Sequence, residues 1–399
     1  MKPKIFHRIL LILSAFLSTT ACCASEIVRA DSIEISLLTC SPHNEVYSLY
    51  GHTALRCHDL RTGEDLVVNY GMFSFDQPYF IARFVFGITD YMMGITSFDI
   101  FCAQYRDENR GVIEQVLNLS EDDKIAIVSA IGENARPENV TYRYNYFYNN
   151  CTTRARDIII DNIVSGKVEW RGTTDSTATF RSMIHEWTKD HRWARLGNDL
   201  LLGLQADNET TRSEQQFLPY NLEKDFSHAV IVNNGQEKPL VKQTNTILRE
   251  SMTEDTDGFP LSPLACSLLI FAITIALSLV EQLRLCHFWI FDTLLMTLTG
   301  LAGIILTLML FSVHPTVRSN LQILLFNPLP LFFVYSVSRK AIKREDHKWW
   351  KIWPILIVAF IICSIFQNYA EGMLVLASSL LARCIFHHFL FKKIAKQRK

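Results

Sequence analysis

Cys151 stands in the run Asn149-Asn150-Cys151-Thr152-Thr153, directly before residues at helical spacing, so a helix opens there with Asn150 or Thr152 as its cap. A thiol in the first helical turn faces the positive end of the peptide dipoles and a set of unpaired amide N–H groups. Both favour the thiolate, and the same N–H groups would stabilise an oxyanion formed at a carbonyl under attack. Such a nucleophile needs a base within hydrogen-bond reach and a third group that fixes the base's tautomer. His52 and Asn69 are upstream residues of the right types. A cysteine and a histidine far apart in sequence describe a packed thiol and a solvated imidazole equally well, so residue types alone leave both readings open.

The elements around these residues narrow the choice. Residues 33–38, 47–57 and 66–70 read as strands, with the polar stretch 58–65, containing Gly63, as the turn of a hairpin. With an even number of loop residues, even positions on the first arm face odd positions on the second, so His52 and Asn69 share a face and their side chains meet. Residues 121–134 have helical periodicity, residues 142–148 read as an aromatic-rich strand, and the Cys151 helix runs on through residues 157–163. Tyr50 or Tyr70 would donate to the oxyanion or simply pack. Arg154 and Asp157, about one turn apart, fit an ion pair. Arg56 reads as a solvated strand-end residue or a phosphate contact, and His58 is an alternative third member of the site.

The chain of 399 residues has unlike halves, and its net charge of -1 with no basic stripe excludes a basic nucleic-acid binder. Lys2, Lys4 and Arg8 precede an apolar stretch and then small residues, the pattern of a signal peptide over residues 1–24 cleaved after Ala24; a lipoprotein-type cut before Cys22 or Cys23 is the alternative. Residues 25–245 then form an exported periplasmic domain and residues 246–260 a linker. Apolar runs of bilayer length follow over residues 261–280, 287–313, 321–338, 352–367 and 372–391, and a basic tail over residues 392–399. Lysines and arginines concentrate in residues 339–351 and in the tail, which places both in the cytoplasm and the first span's start outside. Asn327, Pro328 and Pro330 predict a kink in the third span, and Trp349, Trp350 and Trp353 an interfacial belt. The ten cysteines include no CxxC pair, against a zinc ribbon or thioredoxin motif. Cys40, Cys57 and Cys102 read as structural; an exported domain permits a disulfide, whose pairing stays open.

A family resemblance rests on four strings in the exported half. They are Ser48-Leu49-Tyr50-Gly51-His52-Thr53-Ala54-Leu55-Arg56, Asn69-Tyr70-Gly71-Met72-Phe73-Ser74-Phe75, Thr89-Asp90-Tyr91-Met92-Met93-Gly94 and Asn145-Tyr146-Phe147-Tyr148-Asn149-Asn150-Cys151-Thr152-Thr153-Arg154. Together with His314-Pro315-Thr316-Val317, Asn320 and Asn327-Pro328-Leu329, they closely resemble the Lnb-type lipoprotein N-acyltransferases of Bacteroidota. The resemblance implies an α+β fold: a permuted papain-like domain, similar to NlpC and lecithin:retinol acyltransferases, followed by a five-helix transmembrane bundle. It implies Cys151 as nucleophile and His52 as base. Asn69 stands where the retinol enzymes carry a second histidine, and Tyr50, Asn150 and Thr152 are the expected oxyanion or supporting residues. The implied enzyme is a thiol-dependent acyltransferase of the bacterial inner membrane that needs no cofactor. It would pass an acyl chain from a membrane phospholipid through a Cys151 thioester to the α-amine of a diacylated lipoprotein. The alternatives are a membrane-anchored cysteine peptidase or amidase acting on cell-wall peptides, and a non-catalytic membrane scaffold.

Overall fold

Apolar residues alternating along the N-terminal half pair into a sheet with both faces covered. The computed structural model describes residues 30–73, 78–251 and 258–397; the leader expected over residues 1–24 lies outside these, as do Ser74, Phe75 and part of the expected linker. The strands are β1 (Ile33–Cys40), β2 (His52–Asp59), β3 (Asp65–Met72), β4 (Asp90–Ser97), β5 (Val112–Leu117), β6 (Thr141–Arg143), β7 (Lys167–Glu169), β8 (Val230–Asn233), β9 (Gln236–Pro239) and β10 (Val241–Leu248). Among the described residues, seven form an antiparallel sheet in the order β10-β5-β1-β2-β3-β4-β6, and β7-β8-β9 form a small second sheet.

The register Leu37↔Leu55↔Val68 puts one face in a core shared with Ala155 and Ile159. The neighbouring row, Leu38↔Ala54↔Asn69, faces the other way, where Leu38 and Ala54 pack against Phe101 and Tyr105. Leu37 and Leu55 are fully buried, each worth about 1.5–3 kcal/mol. The helices that cover the faces are α1 (Phe80–Val85), α2 (Phe98–Asp107), α3 (Glu121–Asn134), α4 (Cys151–Ile160), α5 (Phe180–Trp187), α6 (Arg192–Leu201) and α7 (Pro219–His228). Two strands are shorter than expected. β2 begins only at His52, because residues 46–50 turn, and the aromatic run after Arg143 closes on itself through the Asn145↔Asn149 bridge.

The C-terminal region is helical: α8 (Pro263–Arg284), α9 (Trp289–Met309), α10 (Leu329–Ile342), α11 (Trp349–Cys363) and α12 (Met373–Gln397). Among the described residues, four segments are long and apolar enough to cross a membrane: Pro263–Arg284, Trp289–Met309, Pro315–Ile342 and Met373–Gln397. The span expected at residues 352–367 holds the apolar 15-residue α11, which at about 22 Å is not as long as the other four. Nor do the prolines kink a continuous third helix. A single turn at Pro315–Arg318 and a 3-10 turn at Leu321–Leu324 precede α10, which Pro328 caps and Pro330 enters in its first turn, where a missing N–H costs nothing. Trp349 and Trp353, 1% and 0% exposed, pack inside the bundle instead of forming a belt. Arg383 is also fully buried, bonding Asp292 Oδ1 at 2.6 Å and Glu281 Oε1 at 2.9 Å, while His287 Nε2 reaches Asp292 Oδ2 at 2.7 Å.

Main-chain groups dock the two regions together. Gly203 N donates to Thr316 O at 2.8 Å and Leu204 N to Ser319 O at 2.8 Å. From the helical side Asn320 Nδ2 donates to Leu200 O, Gln322 Nε2 to Asp199 O and Gln367 Nε2 to Leu202 O, at 2.8, 2.7 and 3.1 Å. A buried Arg181, bonded to Asp199 and Asp207 at 2.8 Å each, holds this segment from behind.

Candidate active site

Asn150 shapes the start of α4. In extended backbone geometry, its Oδ1 accepts from Thr152 N and Thr153 N, both at 2.9 Å, and Thr153 Oγ1 returns a bond from Asn150 N, completing a capping box. Its Nδ2 donates to Tyr146 O and Phe217 O. The Thr152 and Thr153 amides are thus committed to the cap. The Cys151 amide has no hydrogen-bond partner among the described residues and remains available.

Strand β2 delivers His52 from the other side. Gly51, at φ +78°, lets the chain pass so close to Cys40 that a Cβ there would lie 2.5 Å from Cys40 O. On β3 the pairing slips between Asn69 and Met72, and Gly71 at φ +87° makes the bulge against Cys151. Asn69 and His52 do share a face, and His52 Nε2 donates to Asn69 Oδ1 at 3.1 Å. That bond leaves Nδ1 as the basic nitrogen. His52 and the Thr53 amide face the Cys151 sulfur, and both favour its thiolate. Thr152, fully buried, bonds Thr53 Oγ1 at 3.1 Å and approaches the sulfur at 3.8 Å.

These contacts set the acidities. Burial pushes the Cys151 thiol up, but the His52 charge and hydrogen bond, with the Thr53 amide and Thr152 hydroxyl, outweigh it and bring the thiol from 9.0 down to about 7. Burial pulls His52 down, and the Cys151 charge with the bonds to Cys151 and Asn69 raise it above its ordinary value. A thiolate and an imidazolium therefore stabilise each other.

The pair opens on a cavity of about 860 Å³, toward the large end of small-molecule sites. Its walls are mostly apolar: Phe73, Phe84 and Tyr91 from the sheet region, Leu202 beyond α6, and Met309 and Val317 from the helical region. Tyr50 lines it too, held by Asn198 Nδ2 at 2.7 Å and edge-on to Tyr146. Tyr70 is 1% exposed and its hydroxyl is buried in the core.

Other candidates lie elsewhere. His58 sits at the far end of β2, opposite Asp65. Arg56 is neither solvated nor free for phosphate: it bonds both Asp65 oxygens and Glu114, and stacks on Phe98 at 3.6 Å. Asp157 pairs with Arg156 at 2.7 Å; Arg154 instead donates to Asn149 Oδ1 and covers the Tyr142 ring. The eight cysteines among the described residues are free. Sequence reasoning missed Thr53 and Asn198. Thr53 follows the histidine and was open to notice, whereas Asn198 reaches Tyr50 only through the fold.

Two families match the chain in tandem. The Lnb N-terminal periplasmic domain matches residues 22–186 and the Lnb transmembrane domain residues 253–394. No curated protein and no solved structure matches significantly. Residues 187–252, between the two matches, supply Asn198, Leu202 and the docking carbonyls. With both domains present in order, the chain belongs to the Lnb-type lipoprotein N-acyltransferases, membrane proteins with a periplasmic N-terminal domain.

Proposed function

We propose that the chain transfers an acyl chain from a membrane phospholipid to the α-amine of a diacylglyceryl-cysteine lipoprotein, by way of a thioester on Cys151. The Cys151 thiolate attacks the phospholipid's ester carbonyl. The resulting oxyanion collapses, breaks the ester C–O bond and expels the glycerol alkoxide, which takes the proton of the His52 imidazolium and leaves as a lysophospholipid. The lipoprotein amine then attacks the thioester, His52 Nδ1 accepts its proton, and the departing thiolate leaves an amide. Asn69 keeps the imidazole turned toward the sulfur, and the Cys151 amide is the donor nearest the developing oxyanion. Phospholipid and lipoprotein meet at the periplasmic surface, with the C-terminus in the cytoplasm.

One observation carries the reading: a Cys–His pair whose thiol is brought down to about 7 faces an apolar cavity whose wall is shared with the helical region. Drawing a long acyl chain into water would cost on the order of ten kcal/mol at ~0.8 kcal/mol per CH₂, and this placement avoids that step. Incubating the purified full chain with phospholipid labelled in its acyl chain should leave the label on Cys151 as a hydroxylamine-sensitive thioester. Cys151→Ser should remain unlabelled and fail to triacylate lipoproteins in cells lacking other N-acyltransferases. Triacylation by the serine variant would end the proposal.

A further inference from the structure

Beside the mouth of the cavity, a run of apolar side chains is uncovered. Tyr79 at the start of α1 is 84% exposed, and Phe84 and Ile88 follow it into solvent; Ile95 on β4 and Ile100 on α2, the latter 65% exposed, continue the run. Phe84, Ile95 and Ile100 also line the cavity and form its rim, and Tyr79 and Ile88 flank Phe84 on the same segment. Scattered exposed apolar residues need no explanation, but a contiguous group around an opening does.

The place of this rim in the molecule says what covers it. Directly after α1, Phe86 O accepts from Val313 N at 3.0 Å. The His314 ring sits so close to Gly87 that a Cβ there would lie 2.7 Å from it. Val313 and His314 follow the end of α9, and the adjacent Phe311 is itself 70% exposed. The rim is thus continuous with the end of a helix long and apolar enough to cross a membrane.

We infer that this rim is a second membrane contact, seated in the outer leaflet, and that it makes the cavity open sideways into lipid. One jamb of the entrance is α1 with Ile95 and Ile100; the other is the end of α9 with Val317. Tyr79 suits the boundary, with an apolar ring and a polar tip. An acyl chain passing between the jambs reaches the sulfur without leaving an apolar surrounding. The use made of the entrance rests on the acyl-transfer reading; the lipid contact does not.

The experiment keeps the two apart. The full chain is reconstituted in phosphatidylcholine vesicles with p-benzoylphenylalanine replacing Tyr79, Ile88, Phe311 or Leu60, then illuminated, and lipid adducts are measured by mass spectrometry. Leu60 is exposed in the turn at the opposite end of β2 from His52 and serves as the dry control. Adduct yields at positions 79 and 88 should match position 311 and exceed position 60 several-fold; yields equal to those at position 60 overturn the inference. A Tyr79→Asp/Ile88→Asp variant should raise KM for vesicle phospholipid several-fold at unchanged kcat, and an unchanged KM removes the entrance role. Adducts at positions 79 and 88 in the substituted chains, with no thioester formed by the wild-type protein, would sink the acyl-transfer reading and uphold the contact.

Discussion

Replacing His52 by glutamine removes the charge that, together with the hydrogen bonds to the sulfur, outweighs burial at Cys151, so the thiol should return to near or above its ordinary 9.0 from about 7. Two pH units correspond to about 2.7 kcal/mol. At pH 7 the wild-type sulfur is half ionised, whereas a thiol at 9.0 is ionised in about one molecule in a hundred, about a fifty-fold loss of thiolate. A less acidic thiolate is also more nucleophilic, by about eight-fold over two pH units with a Brønsted slope near 0.45, so the rate at pH 7 should fall only about six-fold. The pH midpoint is therefore the sharper readout. Iodoacetamide alkylation of the solubilised full chain, followed at the Cys151 peptide by mass spectrometry from pH 5 to 10, should give a midpoint near 7 for wild type and about two pH units higher for His52→Gln. The cysteines elsewhere provide internal references. A wild-type midpoint near 9, or one that His52→Gln leaves in place, would refute the coupling of sulfur and imidazole.

Further outcomes follow from the same geometry. The pH profile of acyl transfer should be bell-shaped: activity is lost as pH falls through about 7, when the thiolate gains its proton, and again above the raised His52 value, when the general acid is gone. Asn69→Ala removes a bond that raises His52, so the alkaline limb should move to lower pH and kcat should fall about five- to a hundred-and-fifty-fold, as for a lost hydrogen bond of about 1–3 kcal/mol. Gly71→Ala forces a side chain to φ +87°; about 1–3 kcal/mol of strain should lower the thermal midpoint in detergent and slow Cys151 alkylation together. Arg383→Ala leaves Glu281 and Asp292 buried without their cation; a loss of about 3–5 kcal/mol should appear as collapse of the monodisperse peak in size-exclusion chromatography after mild heating.

The meeting of His52 with Asn69 was legible because strand parity is local: it depends only on the period of two and the number of loop residues. The cap at Asn150 was legible for the same reason. Which amides it would occupy was not, since that follows from the backbone angles of Asn150 itself. Uniformly apolar segments hide which side faces lipid, so Trp349 and Trp353 read as belt residues although they fill the bundle. Proline positions announce an interruption but do not say whether a helix bends or begins there. Arg56 found Asp65 across the hairpin and Glu114 on a strand distant in sequence, a pairing that no local pattern encodes.

The joint between the two regions is made largely of peptide carbonyls and amides, from Asp199 to Leu204 on one side and Thr316 to Ser319 on the other, with Asn320, Gln322 and Gln367 as uncharged go-betweens. Added salt has little purchase on such a joint, and it works as a jig that fixes the distance of the sulfur from the helical region. On the proposed acyl transfer, reactants confined to one leaflet would reach it by lateral diffusion, so turnover should follow their density per unit area, and diluting a vesicle suspension with buffer should leave the rate per enzyme unchanged.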